Sequence, residues 1–553
     1  MTKPKTKSLN TLLFSVLLIL YVKAQNTINE KHAVVLDEEY EVLLKWRIDG
    51  DDIFIEMSAK TQGYVAIGFS PNGGMPGSDI VAGWVKDGKA FLSDRHAITY
   101  SKPNIDSSED YELLYGYENG GKTTIGFKRK LETCDTNDYT ITTDTARIIW
   151  ALNDNDPANQ DDLMYHLTSR GVRSVLLLNA KRKLRELPAD AGFFDINMPN
   201  VTVPDDEDTT YWCTAFEVPQ FERPVHVIRY DALVQEGHEA VVHHMLVYGC
   251  RGNLSTVRGW SDICERENMP PDLSNCWTVI YAWAIGGGSF EFPDHAGFPL
   301  GGENDPTFLY IEMHYDNPAF SSGKENGLSE DVYVFAVMLH GHIAAQQITL
   351  QQYRDGKLID EIRDDNYDFN LQETRVVVPE RTFKPGDAYV VTCTYNTVGR
   401  ENITVGGEGT SEEMCVVFLF YYPSQPDLAY CLSASSFESI FETFEIPYNT
   451  DAEEEIFGYT YRYLTTQVNS ENLRNGLRVI SNTGKRYNYC YNDRNQYIGG
   501  DSFELNSPDW FNASKRIVPP SDVCNVDLPI GNANTLRAGY FSYVVMIFIC
   551  MFM

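Results

Sequence analysis

Along most of the chain apolar and polar residues alternate with a period of two, the pattern of strands that bury one face of a sheet. Trp46-Arg47-Ile48 and Ile53-Phe54-Ile55-Glu56-Met57 flank Asp49-Gly50-Asp51-Asp52, which predicts a hairpin turning on the Asp-Gly pair. Gly63-Tyr64-Val65-Ala66-Ile67-Gly68-Phe69 is an unbroken run and predicts a strand buried on both faces. The glycine-rich loop after it, 72–79, has neither the lysine nor the following helix pattern of a phosphate cradle. Short strands at regular spacing over 33–178 predict a β-sandwich. Lys181-Arg182-Lys183-Leu184-Arg185 and the stretch 199–208 read as a solvated linker. Strand patterning resumes over 211–321 and again over 332–423. Between 438 and 501 the chain is polar, tyrosine-rich and irregular, which predicts loops and short elements.

Composition narrows the class. The 553 residues carry 45 Lys and Arg against 78 Asp and Glu, a formal net charge of −33. That balance argues against nucleic acid or an anionic lipid surface as the main partner, because both would repel the chain. With 43% apolar residues it can bury several cores. Residues 1–24 read as a cleavable secretory signal: Lys3, Lys5 and Lys7 precede the apolar run 12–22, and Ala24 is the small residue at the cut. Eleven cysteines contain no CxxC pair, and ten lie in the body of the chain, the even number expected of disulfides in an oxidising lumen. Acceptor sequons at Asn200, Asn253, Asn402 and Asn512 agree with that compartment. The uncharged tail 538–553 predicts a membrane tether, either a short transmembrane helix or a lipid-anchor signal.

Candidate chemistry lies in the histidines. Of eleven, five fall in apolar strand contexts: His243-His244, His314, and His340-Gly341-His342. Residues two apart in a strand share a face, so His340 and His342 can hold one ion together. Adjacent residues point to opposite faces, so His243 and His244 can do the same only where the strand twists or bulges. Imidazole-rich sets suit copper or zinc. The helical HExxH of zinc hydrolases is absent, and no cysteine stands beside these histidines as a blue-copper ligand would.

The strings Ala240-Val241-Val242-His243-His244-Met245-Leu246-Val247-Tyr248-Gly249-Cys250, Met313-His314-Tyr315-Asp316-Asn317-Pro318, Leu339-His340-Gly341-His342 and Glu413-Met414-Cys415 resemble the copper type II, ascorbate-dependent monooxygenases, of the dopamine β-hydroxylase-like kind. The loop 68–75 and Ser78-Asp79-Ile80-Val81-Ala82-Gly83-Trp84 are similar to their N-terminal DOMON domain. The resemblance implies an all-β chain: a DOMON β-sandwich (30–178), then two copper-binding β-sandwich, jelly-roll-like domains (185–321 and 328–500), and a C-terminal tail (501–537). It implies two coppers per chain. His243, His244 and His314 would hold the electron-transferring ion, and His340, His342 and Met414 the oxygen-binding one. The thioether of Met414 suits Cu(I). Tyr211 and His340 match positions assigned catalytic roles. The implied activity is hydroxylation of a C–H bond of a small, phenylethylamine- or catecholamine-like substrate, with O2 as oxidant and ascorbate as electron donor. Oligomeric state is left open. Disulfides 134–524, 213–264, 250–276 and 393–415 are implied in the same way.

The chain also departs from the pattern. Only 25 residues separate His314 from His340, several dozen fewer than the family has, and the cysteines that would pair with Cys431 and Cys490 lie in the missing stretch. Those two cysteines either bridge each other or stay free. The shortening keeps a second reading open, a non-catalytic copper- or ligand-binding protein of the secretory route or cell surface. In the DOMON region, Met75 and His166 are the candidates for haem ligation known in some relatives of that domain; sugar or metal binding is the other accessory role.

Overall fold

The computed structural model describes residues 32–179, most of 184–315, most of 330–445, parts of 475–504, and 548–552. It divides into two compact units, one of the described residues up to Arg185 and the other from Glu186 onward. Both are built almost entirely of strands, as the alternation predicts. Among the described residues no helix is long and apolar enough to cross a membrane.

The first unit is a two-sheet sandwich. Its strands are β1 (His32–Asp37), β2 (Val42–Asp49), β3 (Asp52–Ala59), β4 (Tyr64–Ser70), β5 (Asp79–Lys86), β6 (Lys89–His96), β7 (Asn104–Ile105), β8 (Glu112–Asn119), β9 (Lys122–Lys130), β10 (Ala146–Asn153) and β11 (Arg170–Val175). One sheet runs β1-β2-β3-β9-β8 and the other β11-β10-β4-β5-β6-β7. The expected hairpin joins β2 to β3 with Asp49 opposite Asp52, and Gly50 takes the left-handed φ of 62° that the tight turn demands. Alternate residues Trp46, Ile55 and Phe127 of one sheet meet Ile67, Ile148 and Trp150 of the other in a common core. Strand β4 is buried along its whole length, as its unbroken apolar run requires.

Register decides the haem question. Ser70 at one end of β4 pairs with Arg147, and Tyr64 at the other end pairs with Asn153. Met75 follows the first end. His166 lies beyond the second, where the Tyr64 hydroxyl donates to Met164 O and Asn153 Nδ2 to Tyr165 O. Six residue steps along the strand, roughly 20 Å, separate the two ends, so Met75 and His166 cannot ligate one haem.

The second unit continues with β12 (Thr210–Glu217), β13 (Val225–Val227), β14 (Arg229–Tyr230), β15 (Val242–Cys250), β16 (Ser261–Ile263), β17 (Thr278–Ala284), β18 (Phe290–Glu291), β19 (Phe298–Leu300) and β20 (Phe308–Tyr315). Then come β21 (Val332–Gly341), β22 (Ala345–Arg354), β23 (Lys357–Asp364), β24 (Arg375–Phe383), β25 (Ala388–Tyr395), β26 (Cys415–Tyr422), β27 (Tyr430–Ser435), β28 (Lys485–Tyr491), β29 (Tyr497–Gly499), β30 (Ser502–Glu504) and β31 (Phe548–Phe552). Three main sheets result: β16-β12-β20-β15-β17, then β24-β21-β26-β31-β27-β28-β29, and β23-β22-β25. In the 438–501 region the described elements are short, a helix at Phe437–Thr443 with β28 and β29, in keeping with its irregular text. Strand β31, from the hydrophobic tail, lies between β26 and β27; the rest of the expected anchor is outside the described residues.

The middle sheet serves two cores. On β26, Val416, Phe418 and Phe420 face the first sheet, while Cys415, Val417 and Leu419 face β22 and β25. On β21, Met338 faces the first sheet, and Val337 and Leu339 face the other way. Period two therefore commits His340, His342 and Met414 to the seam with the first sheet, the side of Met338 and Val416.

Disulfides join Cys213 to Cys264, Cys250 to Cys276, Cys393 to Cys415, and Cys431 to Cys490. The last answers the open question: Cys431 and Cys490 stand directly opposite on β27 and β28 and bridge each other. Cys134 is disulfide-bonded, but Cys524, its implied partner, lies outside the described residues.

Candidate metal centre

The first histidine set depends on a fault in a ladder. Against β20, Val242 pairs with Tyr315 and His244 with His314, so His243 is the extra residue of a β-bulge. A bulge rotates the residues on either side of it, which lets two adjacent histidines turn to one side. This is the irregularity that the adjacent pair needed. The Nδ1 atoms of His243, His244 and His314 form a triangle with edges of 2.9, 3.1 and 3.3 Å.

That triangle fits a metal ion. An Nδ1 that donates its proton has no in-plane lone pair left to accept with, so at most two of the three contacts can be hydrogen bonds at once. A cation satisfies all three. Nitrogens about 2.0 Å from a tetrahedral ion would be spaced about 3.3 Å apart, close to the edges found. The site is also poised to be neutral. Burial pushes His243 down to about 4, and burial with the neighbouring imidazoles holds His244 well below the usual range. Their lone pairs are therefore available in neutral or mildly acidic solution. His243 Nε2 is buried without a hydrogen-bond partner.

The second set stands against the first. His340 ends β21 opposite Val416, and Gly341 is opposite Cys415, so the next position along brings His342 level with Met414. His340 Nδ1 lies 2.5 Å from Gln372 Oε1, while Gln372 Nε2 donates to Phe369 O at 2.9 Å. The amide orientation makes His340 Nδ1 the donor and leaves its Nε2 the nitrogen able to coordinate an ion. Burial pushes His340 down to about 3, with the Gln372 hydrogen bond opposing. The buried Glu413 carboxylate accepts the His342 N–H at 3.0 Å and the Ala344 N–H as well, fixing the turn that follows the second histidine. Tyr367 grips the residue between the histidines, its hydroxyl donating to Gly341 O at 2.8 Å and accepting from Gly341 N at 3.1 Å.

The two sets form one cluster. Ring centroids of His243 lie 5.4 Å from His342 and 5.9 Å from His340, and those of His244 and His340 are 6.0 Å apart. Tyr211 stands opposite His314 on β12 with the rings stacked. All the sequence-derived site residues, with Met414 placed by register, thus converge on one end of the seam. Gln372, Phe369 and Tyr367 were not among them; they come from the 365–374 loop, which has no periodicity to read. Glu413 sits inside a quoted motif, but nothing in that string shows that its carboxylate is buried. A cavity of about 550 Å³, floored by Phe292, Phe335 and Phe420, opens at the other end of the same strands. None of the five histidines of the two sets is among its lining residues.

A sandwich followed by sheets whose seam gathers two histidine sets is the frame a metal-binding protein would need, and the comparisons name its kind. Residues 194–322 match the copper type II ascorbate-dependent monooxygenase N-terminal domain, 321–444 its C-terminal domain, and 38–153 the DOMON domain. DBH-like monooxygenase protein 1 of Homo sapiens is 36% identical over 450 residues, covering 71% of this chain and 73% of the relative. Dopamine beta-hydroxylase of Rattus norvegicus is 30% identical over 458 residues, covering 72% and 74%. The cytochrome b domain of pyranose dehydrogenase from Coprinopsis cinerea aligns over 25% of this chain and 78% of its own, at 18% identity and a TM-score of 0.22. The chain belongs to the copper type II, ascorbate-dependent monooxygenase family.

Proposed function

We propose that this chain is an active copper monooxygenase of the secretory lumen that hydroxylates a C–H bond of a small phenylethylamine-like substrate with O2 and ascorbate. The observation that carries the reading is the Nδ1 triangle of His243, His244 and His314 set against His340, His342 and Met414 across one seam. In this reading each set holds one copper ion. Copper, when bound, would supply the one-electron chemistry and dioxygen activation that no side chain here offers.

The remaining work belongs to the protein. The bulge at His243 aims two adjacent imidazoles at one point. Tyr211 braces the His314 ring by stacking on it. Gln372 fixes the tautomer of His340, and Glu413 fixes the backbone beyond His342. Met338, Phe418 and Val416 line the apolar side of the seam and keep water from the ligand atoms.

The shortened segment weighs less against activity than its length suggests. Strands β20 and β21 both end at the histidines, so the chain between them must return the length of β21, about 30 Å. Sixteen residues separate Tyr315 from Val332. Fully extended, they span at most about 53–58 Å, which leaves room for that return. The reading is tested by elemental analysis of the purified, copper-loaded chain, followed by a screen of phenylethylamine-like compounds with ascorbate and O2. Two coppers per chain and ascorbate-dependent hydroxylation are expected. One copper or none would favour the non-catalytic alternative.

A further inference from the structure

The cavity at the other end of the seam has no part in the copper reading. Its volume is about 550 Å³, within the range of pockets that take drug-sized molecules. Both halves of the second unit build it. Phe292 comes from the first half, and Phe335 on β21 and Phe420 on β26 from the second, all three buried. The Phe335 ring lies 6.1 Å from Phe292 and 6.4 Å from Phe420, so the floor is one aromatic cluster. Five residue steps of β21 separate Phe335 from His340, about 17 Å along the strand, which keeps the cavity and the histidines apart. Its walls are preformed. The Phe292 N–H donates to Ile228 O at 2.9 Å, the Ala296 N–H to Pro293 O at 3.0 Å, and Asp305 Oδ2 accepts the Gly302 N–H at 2.6 Å.

The mouth is polar, and its charges are unequal. Asp294 and Asp305 line it against the single guanidinium of Arg251. A third carboxylate stands behind them: Glu380 accepts the Tyr422 hydroxyl at 2.6 Å and lies 2.9 Å from His295 Nε2, and both Tyr422 and His295 line the cavity. The chain as a whole carries −33, which concentrates cations near its surface and repels anions. Close-packed interiors leave few voids larger than a water molecule, so an aromatic-floored space of this size, held open by ordered walls, calls for an occupant. We propose that the cavity is a ligand site, separate from the histidine sets, for an aromatic amine larger than a phenylethylamine. A body of two fused or linked rings packs on Phe292, Phe335 and Phe420, and an ammonium group sits at the Asp294 side of the mouth. Because both halves supply the floor, the amine binds only the joined seam and stabilises that joint. This site needs no copper ion.

The test uses three fluorescent probes that share one naphthalene body and one chain length. Monodansylcadaverine ends in an ammonium group, its N-acetyl derivative is uncharged, and dansyl-6-aminohexanoate ends in a carboxylate. Each is titrated into the full chain and followed by the blue shift of its emission. The ammonium probe is expected to saturate a single site and to bind roughly two- to fivefold more tightly than the uncharged one, the range of an exposed charge pair. The carboxylate probe should bind more weakly than both. Asp294→Asn should erase the preference for the ammonium and leave the affinity of the N-acetyl probe unchanged. Ala296→Trp in the first half and Ser424→Trp in the second each add a large ring at a lining position, and each should weaken all three probes by about tenfold or more. Saturating ammonium probe should also raise the denaturant midpoint of the wild-type chain and leave that of the tryptophan variants in place. No saturable binding to the wild type would overturn the site. So would wild-type affinity in both tryptophan variants, which would place the probes elsewhere. A carboxylate probe that binds as tightly as the ammonium probe would overturn the ligand class, the mouth then answering to Arg251. Should one tryptophan variant fail to be secreted, the other decides the site, and Asp294→Asn, on an exposed side chain, decides the charge in either case.

Discussion

Tyr211 and His314 face each other in register on β12 and β20, with ring centroids 4.3 Å apart and planes tilted by only 9°. The stack fixes the direction in which His314 Nδ1 points toward the other two imidazoles. Tyr211→Phe keeps the ring and should keep the copper count, so any loss of turnover in that variant reports on the hydroxyl. Tyr211→Ala removes the brace, worth about 0.5–1.5 kcal/mol beyond its buried area, and should weaken copper retention by several-fold. Equal copper affinity in the two variants, measured by competition with a chelator, would show that the stack does not orient the ligand.

Removing a ligand should act differently in the two sets. His243→Ala or His314→Ala is expected to lower the copper count by one and stop electron delivery. Met414→Ala leaves two imidazoles for the second ion and should abolish turnover while retaining much of the metal; His340→Ala, which leaves one imidazole, should abolish turnover as well. Elemental analysis paired with ascorbate-dependent O2 uptake distinguishes these outcomes. Normal turnover in any of the four would refute the assigned roles.

The first sandwich carries a buried acidic group whose pH dependence runs opposite to that of ordinary carboxylates. Burial raises Asp94 to about 8 and Asp138 to about 6, near Asp79, whose partner is Arg129. Folded, these groups hold protons that the unfolded chain gives up near pH 4. Stability is therefore greatest in acid. It declines as pH rises, up to about 6 through Asp138 and about 8 through Asp94. The slope is at most about 1.4 kcal/mol per pH unit for Asp94, and solvent screening makes it smaller for both groups. Hydrogen exchange of the β4 and β10 core amides, corrected for intrinsic rates, should show less protection at pH 8 than at pH 5, and Asp94→Asn should flatten that difference. Protection that increases with pH would contradict the assignment.

Phe420 is 2% exposed and sits in the seam with its ring 4.6 Å from Phe290 of the first half. Phe420→Ala should cost about 3–5 kcal/mol through lost burial and the cavity left behind. Because the seam also carries the histidines, copper retention should fall with stability. Chemical denaturation followed with and without copper would separate the two effects; a loss below about 1 kcal/mol would mean that the seam closes over the gap.

Much of this architecture was legible because period two leaves a strong trace. The alternation on β2, β10, β21 and β26 names the buried face, and from it the side to which His340, His342 and Met414 turn. That the strand must twist or bulge at the His243-His244 pair also followed from adjacency alone. What stayed hidden depends on contacts between distant segments. Gln372 and Phe369 sit in a loop, where no periodicity marks which side chain points inward. The Cys431–Cys490 bridge depended on which strands became neighbours, which spacing does not encode. Met75 and His166 looked plausible as a pair until the register placed them at opposite ends of one strand.

All four described disulfides close within one half of the second unit or the other; none of these four crosses the seam. A reductant would loosen each half internally but would not uncouple them. A single protease cut between Tyr315 and Val332 would sever the backbone between the halves over the described strands, leaving β12–β20 and β21–β26 held by non-covalent contacts, among them the Phe290–Phe420 ring contact and the His295–Glu380 pair. The histidine cluster could then be opened by denaturant and closed again by dilution, with these four disulfides intact, making its assembly a titratable association between two fragments.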